Sequence, residues 1–278
     1  MSNIKLKKLK KVSPFRKVAI GTWHTAYDPT VYGSLNVRME EAERYIKAFR
    51  EKTEKKLTIT HIVTAALAKA LAAVPEANGI LRYNRIYLRE SVDISMLVLA
   101  DDPVTGEIDL STATIRNADK ITLLEQLDQA SAQVKNIRSG QDKAMKKSKD
   151  TVRIIPFWFM NAFMKMLSFF MYTLNLDMRW AGMPKDPFGG AVVTSIGSLG
   201  LDTAYVPLVP YSRVPIFLAP GAVRDEPVVE DGVVKPGRVM GLHATFDHRF
   251  IDGAHASKLA RVFKEVLENP FERLDSLD

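Results

Sequence analysis

The sequence predicts an α/β domain, and three observations carry that reading. Apolar residues recur at helical spacing over Glu40–Thr53, His61–Val74, Thr122–Ser139 and again from Ala254. Strand-like stretches fall between these helices, and a late run of them lies between Gly189 and Asp247. One corner, Asp247–Gly253, joins the last strand pattern to the last helix pattern.

That corner organises the chain. In GLHATFDHRFIDGAHASKL, Leu242, Ala244 and Phe246 alternate with His243, Thr245 and Asp247, as in a strand. Asp247-His248-Arg249 interrupts the alternation, and Asp252-Gly253 makes a turn or opens a helix through the Asp side chain. Leu259, Val262, Phe263, Val266 and Leu267 then share one helix face. His248 and Asp252 therefore stand where a side chain can face a cleft and be held from behind. A histidine there is a natural general base, because it titrates near neutral pH. The competing assignment is a structural histidine at the end of an apolar strand.

Composition bounds the function. The chain has 278 residues, 46% hydrophobic and 26% charged, enough for one large domain or two small ones. It has no cysteine, which excludes disulfides, thiolate metal sites and a Cys nucleophile. The start, MSNIKLKKLKK, is basic and no apolar h-region follows it, so it is not a secretory signal and a cytoplasmic location is expected. The net charge is +7, with clusters at Lys5–Lys11 and at Lys143–Arg153. Such clusters meet anionic surfaces or polyphosphate ligands, or are simply solvated. No nucleic-acid fold signature accompanies them, and no nucleic-acid partner is expected.

Residues 1–12 read as a mobile basic arm. Ser13 caps a helix start with Pro14 at its first position, and Trp23–Asp28 is a loop. Tyr32–Met39 is a strand with Leu35 and Val37 inward. Glu40–Thr53 buries Ala42, Tyr45, Ile46 and Phe49, and His61–Val74 buries a face of small residues, with His61 capping or at the surface. Gly79–Arg89, Val92–Ala100 and Ile108–Ile115 read as strands. Thr122–Ser139 places Leu123, Leu124, Leu127, Ala130, Val134 and Ile137 on its buried side. Pro215–Val223 is an apolar strand, and Pro227–Arg238 is a hairpin around Glu230-Asp231-Gly232.

Two further stretches stand out. Ile154–Leu176 is long enough to span a bilayer, but Asn161, Lys165, Ser168, Tyr172 and Asn175 cut a polar stripe through it. Three readings are open: a helix docked on the body or a subunit interface, an interfacial membrane contact, or a true span. Lys165 in mid-stretch and the lack of a second span weigh against the last. Gly189–Gly200 (GGAVVTSIGSLG) reads as a strand broken by turn glycines, whose hydroxyls would ordinarily cap the turn.

The corner carries a resemblance. Asp247-His248-Arg249-Phe250-Ile251-Asp252-Gly253-Ala254 resembles the DHRxxDGA signature of the catalytic domain of dihydrolipoyl acyltransferases, the acyl-transferring components of 2-oxoacid dehydrogenase complexes. Chloramphenicol acetyltransferase and peptide-synthetase condensation domains are wider relatives that keep H-x-x-x-D-G. Weaker matches come in the family's order: Ser13–Ile20 with S-x-x-R-K-x-I-A; Leu57-Thr58, Ala65-Ala66, Ala70-Leu71, Pro75 and Asn78; Val92-Asp93-Ile94; Ile115–Asp119; and Thr194–Gly200. The resemblance covers roughly 13–140 and 186–270, with an inserted basic run and apolar helix at about 141–185.

The resemblance implies a chloramphenicol acetyltransferase-like two-layer α/β sandwich, with a mixed or antiparallel sheet and helices on one face. It implies a basic arm at 1–12 and a single catalytic domain at 13–278. It makes His248 the general base and Thr194 the oxyanion donor, with Ser195 in reserve, meeting across the subunit boundary of a homotrimer. Asp252 would support the loop through a buried ion pair with an arginine, for which Arg16 is the matching position. The substrates implied are coenzyme A or acyl-CoA and a dihydrolipoyl thiol, with no metal. No lipoyl-type domain is visible in the sequence, so a separate lipoyl-bearing protein would act in trans. The final residues, FERLDSLD, alternate with acids, and trimers without the family's cage contact are expected. The alternative is an inactive trimeric scaffold or membrane-docking protein that keeps the fold.

Overall fold

The computed structural model describes residues 2–10, 29–101, 108–139 and 155–277. The chain in order gives β1 (Leu6–Lys8), β2 (Thr30–Arg38), α1 (Glu40–Thr53), α2 (Ile59–Ala73), β3 (Gly79–Arg82), β4 (Arg85–Arg89), β5 (Ile94–Asp101) and β6 (Ile108–Ile115). Then come α3 (Leu123–Arg138), α4 (Phe157–Ser168), β7 (Ala191–Val193), β8 (Ile216–Glu230), β9 (Val233–Asp247), α5 (Gly253–Glu268) and the short α6 (Pro270–Arg273).

The main sheet has six strands in the order β2-β9-β8-β7-β5-β6. It is mixed: β7 runs parallel to β5 and β8, and the other pairs are antiparallel. One face meets the helices. Ala191, Val193, Ile216, Leu218, Leu242 and Ala244 share a core with Tyr45, Phe49, Ile62, Leu71, Leu127, Leu259 and Phe263 of α1, α2, α3 and α5. The other face carries Val192 and Phe217, packed with Val206, Leu208 and Val209 of the segment before β8. Alternation along the strands thus sends neighbouring residues to two different cores. The predicted helices-on-one-face sandwich is the observed one.

Several predicted elements change in detail. Gly79–Arg89 is a hairpin, not one strand, because Tyr83 and Asn84 turn it with φ of 49° and 57°. This hairpin belongs to a second sheet, β1-β4-β3. Residues 2–10 are not a mobile arm: Leu6–Lys8 pair with Arg89–Tyr87, and Asn3 is buried, donating to Met171 O and accepting from Asp186 N. The predicted 227–238 hairpin is the tip of a longer β8–β9 ribbon, turned at Asp231 and Gly232, both with positive φ. On α3, Leu124 points outward, and Gln126 is buried instead, donating to Ala118 O at 2.8 Å. Asp93 suits its place because Arg116 Nη1 lies 3.0 Å away and the Asn117 N–H donates to it. The readings at Ser13–Ala19, Trp23–Asp28 and Lys143–Arg153 lie outside the described residues.

The apolar stretch 154–176 is not one long helix. α4 runs from Phe157 to Ser168 and passes into a wider turn at Phe169–Thr173, where Leu174 N–H reaches Phe169 O. Among the described residues no helix is long and apolar enough to cross a membrane.

Candidate active site

β9 delivers the corner. Asp247, its last residue, donates its N–H to Pro215 O, and its carbonyl accepts from Phe250 and Ile251 N–H, which closes a tight turn. Phe250 and Ile251 plug the turn into the core. The ring of Phe250 sits so close to Gly79 that a Cβ there would lie 2.9 Å from it. Turn and core therefore fix the backbone from both sides.

His248 is half-buried, and its own N–H donates to Pro29 O at 2.7 Å. Its Nδ1 lies 2.9 Å from Ile251 O. A carbonyl oxygen only accepts, so this contact fixes the neutral ring's proton on Nδ1 and makes Nε2 the basic atom. The geometry is that of an oriented general base.

Asp252 caps α5. Its Oδ1 accepts from the N–H groups of Ala254 and His255, both at 3.1 Å, and from His255 Nδ1 at 2.6 Å. Its side chain is 27% exposed. Asp247 holds an arginine of its own: its carboxylate takes Arg249 in a two-point contact at 2.9 and 2.6 Å, with the side chains 6% and 12% exposed. Asp252 reaches forward to the open N–H groups of a helix, whereas Asp247 is still within the sheet. Arg16 lies outside the described residues.

Thr194 follows β7, is half-buried, and donates its N–H to Leu218 O at 2.9 Å. Ser195 is also half-buried, and its carbonyl accepts from Ser198 Oγ at 2.8 Å. The loop then presses onto a bulge in β8 between Pro220 and Val223. A Cβ on Gly197 would lie 2.3 Å from Gly221 O, so only glycine allows this approach.

The sheet register separates the two key residues. Val193 pairs with Leu218, and Leu218 with Ala244. Thr194 is thus level with His243, and His248 lies five residues later, just past the end of β9. At strand spacings that is roughly 17 Å along the sheet and about 10 Å across it. One chain does not bring Thr194 and His248 together.

Sequence reasoning assigned no role to His243. It is buried, with Nδ1 3.0 Å from Ser34 Oγ, Nε2 2.8 Å from Asp202 O, and its ring edge-on to Tyr205 at 5.5 Å. It ties the loop after Thr194 to the sheet, two strands from Thr194 itself. The signal was in view: a histidine inside an otherwise apolar strand. Between the sheet and α2 and α5 lies an apolar cavity of about 270 Å³, lined by Leu67, Ala244, Phe246, Ala256 and Leu259 among others. Among the described residues no group of three His, Asp or Glu side chains is placed to hold a metal ion.

Comparison with known proteins follows the same outline. Residues 6–155 and 184–274 match the model of the family described as 2-oxoacid dehydrogenases acyltransferase (catalytic domain). The chain is similar to the dihydrolipoyllysine-residue acetyltransferase component of the acetoin cleaving system of Bacillus subtilis (strain 168). The two are 26% identical over 215 residues, which is 77% of this chain and 42% of that protein. The chain therefore spans less than half the length of this curated relative. Its fold is similar to that of Azotobacter vinelandii dihydrolipoamide acetyltransferase, at a TM-score of 0.64 and 18% identity, covering 96% of this chain and 94% of that one. That structure comes from a study of a serine, a histidine and an asparagine in the catalytic mechanism, the last two four residues apart. The fold is also that of chloramphenicol acetyltransferase, at a TM-score of 0.51 and 15% identity, covering 95% of this chain and all of that one.

Proposed function

The chain belongs to the 2-oxoacid dehydrogenase acyltransferase family, and from that premise we propose that it moves an acyl group between coenzyme A and a thiol of the dihydrolipoyl type. The observation that carries this reading is His248, whose Nδ1 is held by Ile251 O so that Nε2 is the base. Nε2 takes the proton of the attacking thiol. The sulfur adds to the thioester carbonyl, and the oxyanion accepts a hydrogen bond from the Thr194 hydroxyl. Collapse expels the second sulfur as a thiolate, which takes up from His248 the proton that came from the attacking thiol.

Because Thr194 and His248 lie apart within one chain, the complete site takes His248 from one copy and Thr194 from its neighbour, in a homotrimer. The Azotobacter vinelandii histidine and asparagine share the spacing of His248 and Asp252, which supports reading these two positions as parts of one site. Arg16 is the position for the partner of Asp252, and Ser195 is the reserve oxyanion donor. The net charge of +7 suits the phosphates of coenzyme A, and a separate lipoyl-bearing protein supplies the dihydrolipoyl group. The site works without a metal, in the cytoplasm.

The test is acyl transfer from several acyl-CoAs to dihydrolipoamide. His248→Ala should lower turnover by about 10²–10⁴-fold, and Thr194→Ala by about 10²–10³-fold, with Thr194→Ser retaining most activity. Turnover that does not depend on His248 overturns the mechanism. No turnover with any acceptor favours a scaffold.

A further inference from the structure

We propose that α4 docks this protein on an anionic membrane surface. The family match stops at residue 155 and resumes at 184, so α4 and the turns after it lie in a segment the family does not share. The far end of that segment is built into the body. Met171, Tyr172 and Met183 form a small core with Ile4 and Ile80. Arg213 donates to Ser168 Oγ and Thr173 Oγ1, and Arg82 donates to Thr173 O.

No described residue of the near end is fully buried. From Trp158 to Leu167 every residue is exposed or half-buried, although the helix is rich in Phe, Met and Trp. Trp158, Ala162, Lys165, Met166 and Phe169 recur along the exposed side at helical spacing. Trp158 is 85% exposed, and Trp180, further along the same segment, is 79% exposed. An apolar stripe of this size, left uncovered on a firmly anchored base, marks a contact surface.

Charge selects the occupant. No Asp or Glu occurs from Thr151 to Leu176, and Lys165 lies within the exposed stripe. The sequence just before it carries Lys143, Lys146, Lys147, Lys149 and Arg153. Lys165 among exposed aromatic residues, with a lysine-rich sequence preceding them in the chain, matches the headgroup region of an anionic bilayer, where indole rings sit at the interface and lysines reach the phosphates. A second copy is the poorer match, because a symmetric contact would bring the same basic surfaces together. α4 is too short to cross, so the contact lies in the plane of the surface.

Flotation of the whole protein with vesicles tests this. Phosphatidylcholine mixed with phosphatidylglycerol should bind it, phosphatidylcholine alone should bind it poorly, and high salt should weaken the binding. The triple variant Trp158→Ser, Met166→Ser, Phe169→Ser should bind about tenfold more weakly, and Lys165→Glu severalfold more weakly. Trp158→Ser alone, at a position open to solvent, guards against misfolding. In a Trp23→Phe background, tryptophan emission should shift to the blue on anionic vesicles. Acyl transfer to dihydrolipoamide in solution should be unchanged, which separates this idea from the catalytic one. No vesicle binding by the wild type overturns it, as does binding that the variants leave intact. A lower mass in solution for the triple variant assigns the face to self-association instead.

Discussion

Thr194 and His248 leave the same sheet at opposite ends, because β7 and β9 run antiparallel with only β8 between them. The residues that the proposed chemistry joins are therefore separated within one chain by several strand residues. A shared site requires each copy to lend one residue to a neighbour.

Complementation follows from that geometry. His248→Ala and Thr194→Ala proteins should each be inactive. Unfolded together and reassembled, they should regain about a quarter of wild-type activity, the share of neighbouring pairs with both intact residues. Activity that stays at the level of the separate variants would place both residues in one chain's site.

Arg249 should matter for stability before it matters for rate. Arg249→Met leaves the Asp247 carboxylate buried without its two-point partner, at a cost of about 3–5 kcal/mol. Replacing both, as Asp247→Asn with Arg249→Met, should cost less than the single change. Urea unfolding measures each difference. Equal costs would mean that the pair is not coupled.

The cap of α2 predicts a pH dependence. His61 Nδ1 accepts the Thr58 N–H at 3.2 Å and lies 2.8 Å from the Thr58 hydroxyl. Burial pushes the pKa of its imidazole down from 6.5 to about 4. The unfolded chain then binds more protons between those values, so stability is full above pH 6.5 and falls as the pH drops towards 4. The loss is at most roughly 3 kcal/mol from (6.5 − 4) pH units. Denaturation midpoints between pH 7 and 4 should show this slope, and His61→Gln should flatten it.

The C-terminal residues predict the assembly. Leu274 and Leu277 pack on the chain's own core, Asp275 O accepts from Tyr45 Oη at 2.9 Å, and Asp275 Oδ2 accepts from Leu123 N–H at 2.5 Å. A tail held this way is not offered to another trimer. Light scattering should give the mass of a trimer, and a 24-mer or 60-mer would refute the assignment.

Local patterns were legible where one period ruled. α1 has the predicted bounds and the predicted buried set, Ala42, Tyr45, Ile46 and Phe49, because helical spacing and burial coincide there. β6 also has the predicted bounds, Ile108–Ile115. The misses fall where backbone conformation, not hydrophobicity, decides. Tyr83-Asn84 turns a hairpin without glycine or proline, so Gly79–Arg89 read as one strand. The basic residues 2–10 looked like a solvated arm, but β4 offered an edge to Leu6–Lys8.

The sequence by itself determined the fold class, the family and the corner at His248, because each rests on local spacing and residue type. Tertiary structure alone decided which atom of His248 is basic, since Ile251 O must be in place to hold Nδ1. It alone made Asp247 the buried partner of Arg249. It alone separated Thr194 from His248 and left α4 uncovered. All four depend on register and on packing between distant segments, and a linear pattern carries neither.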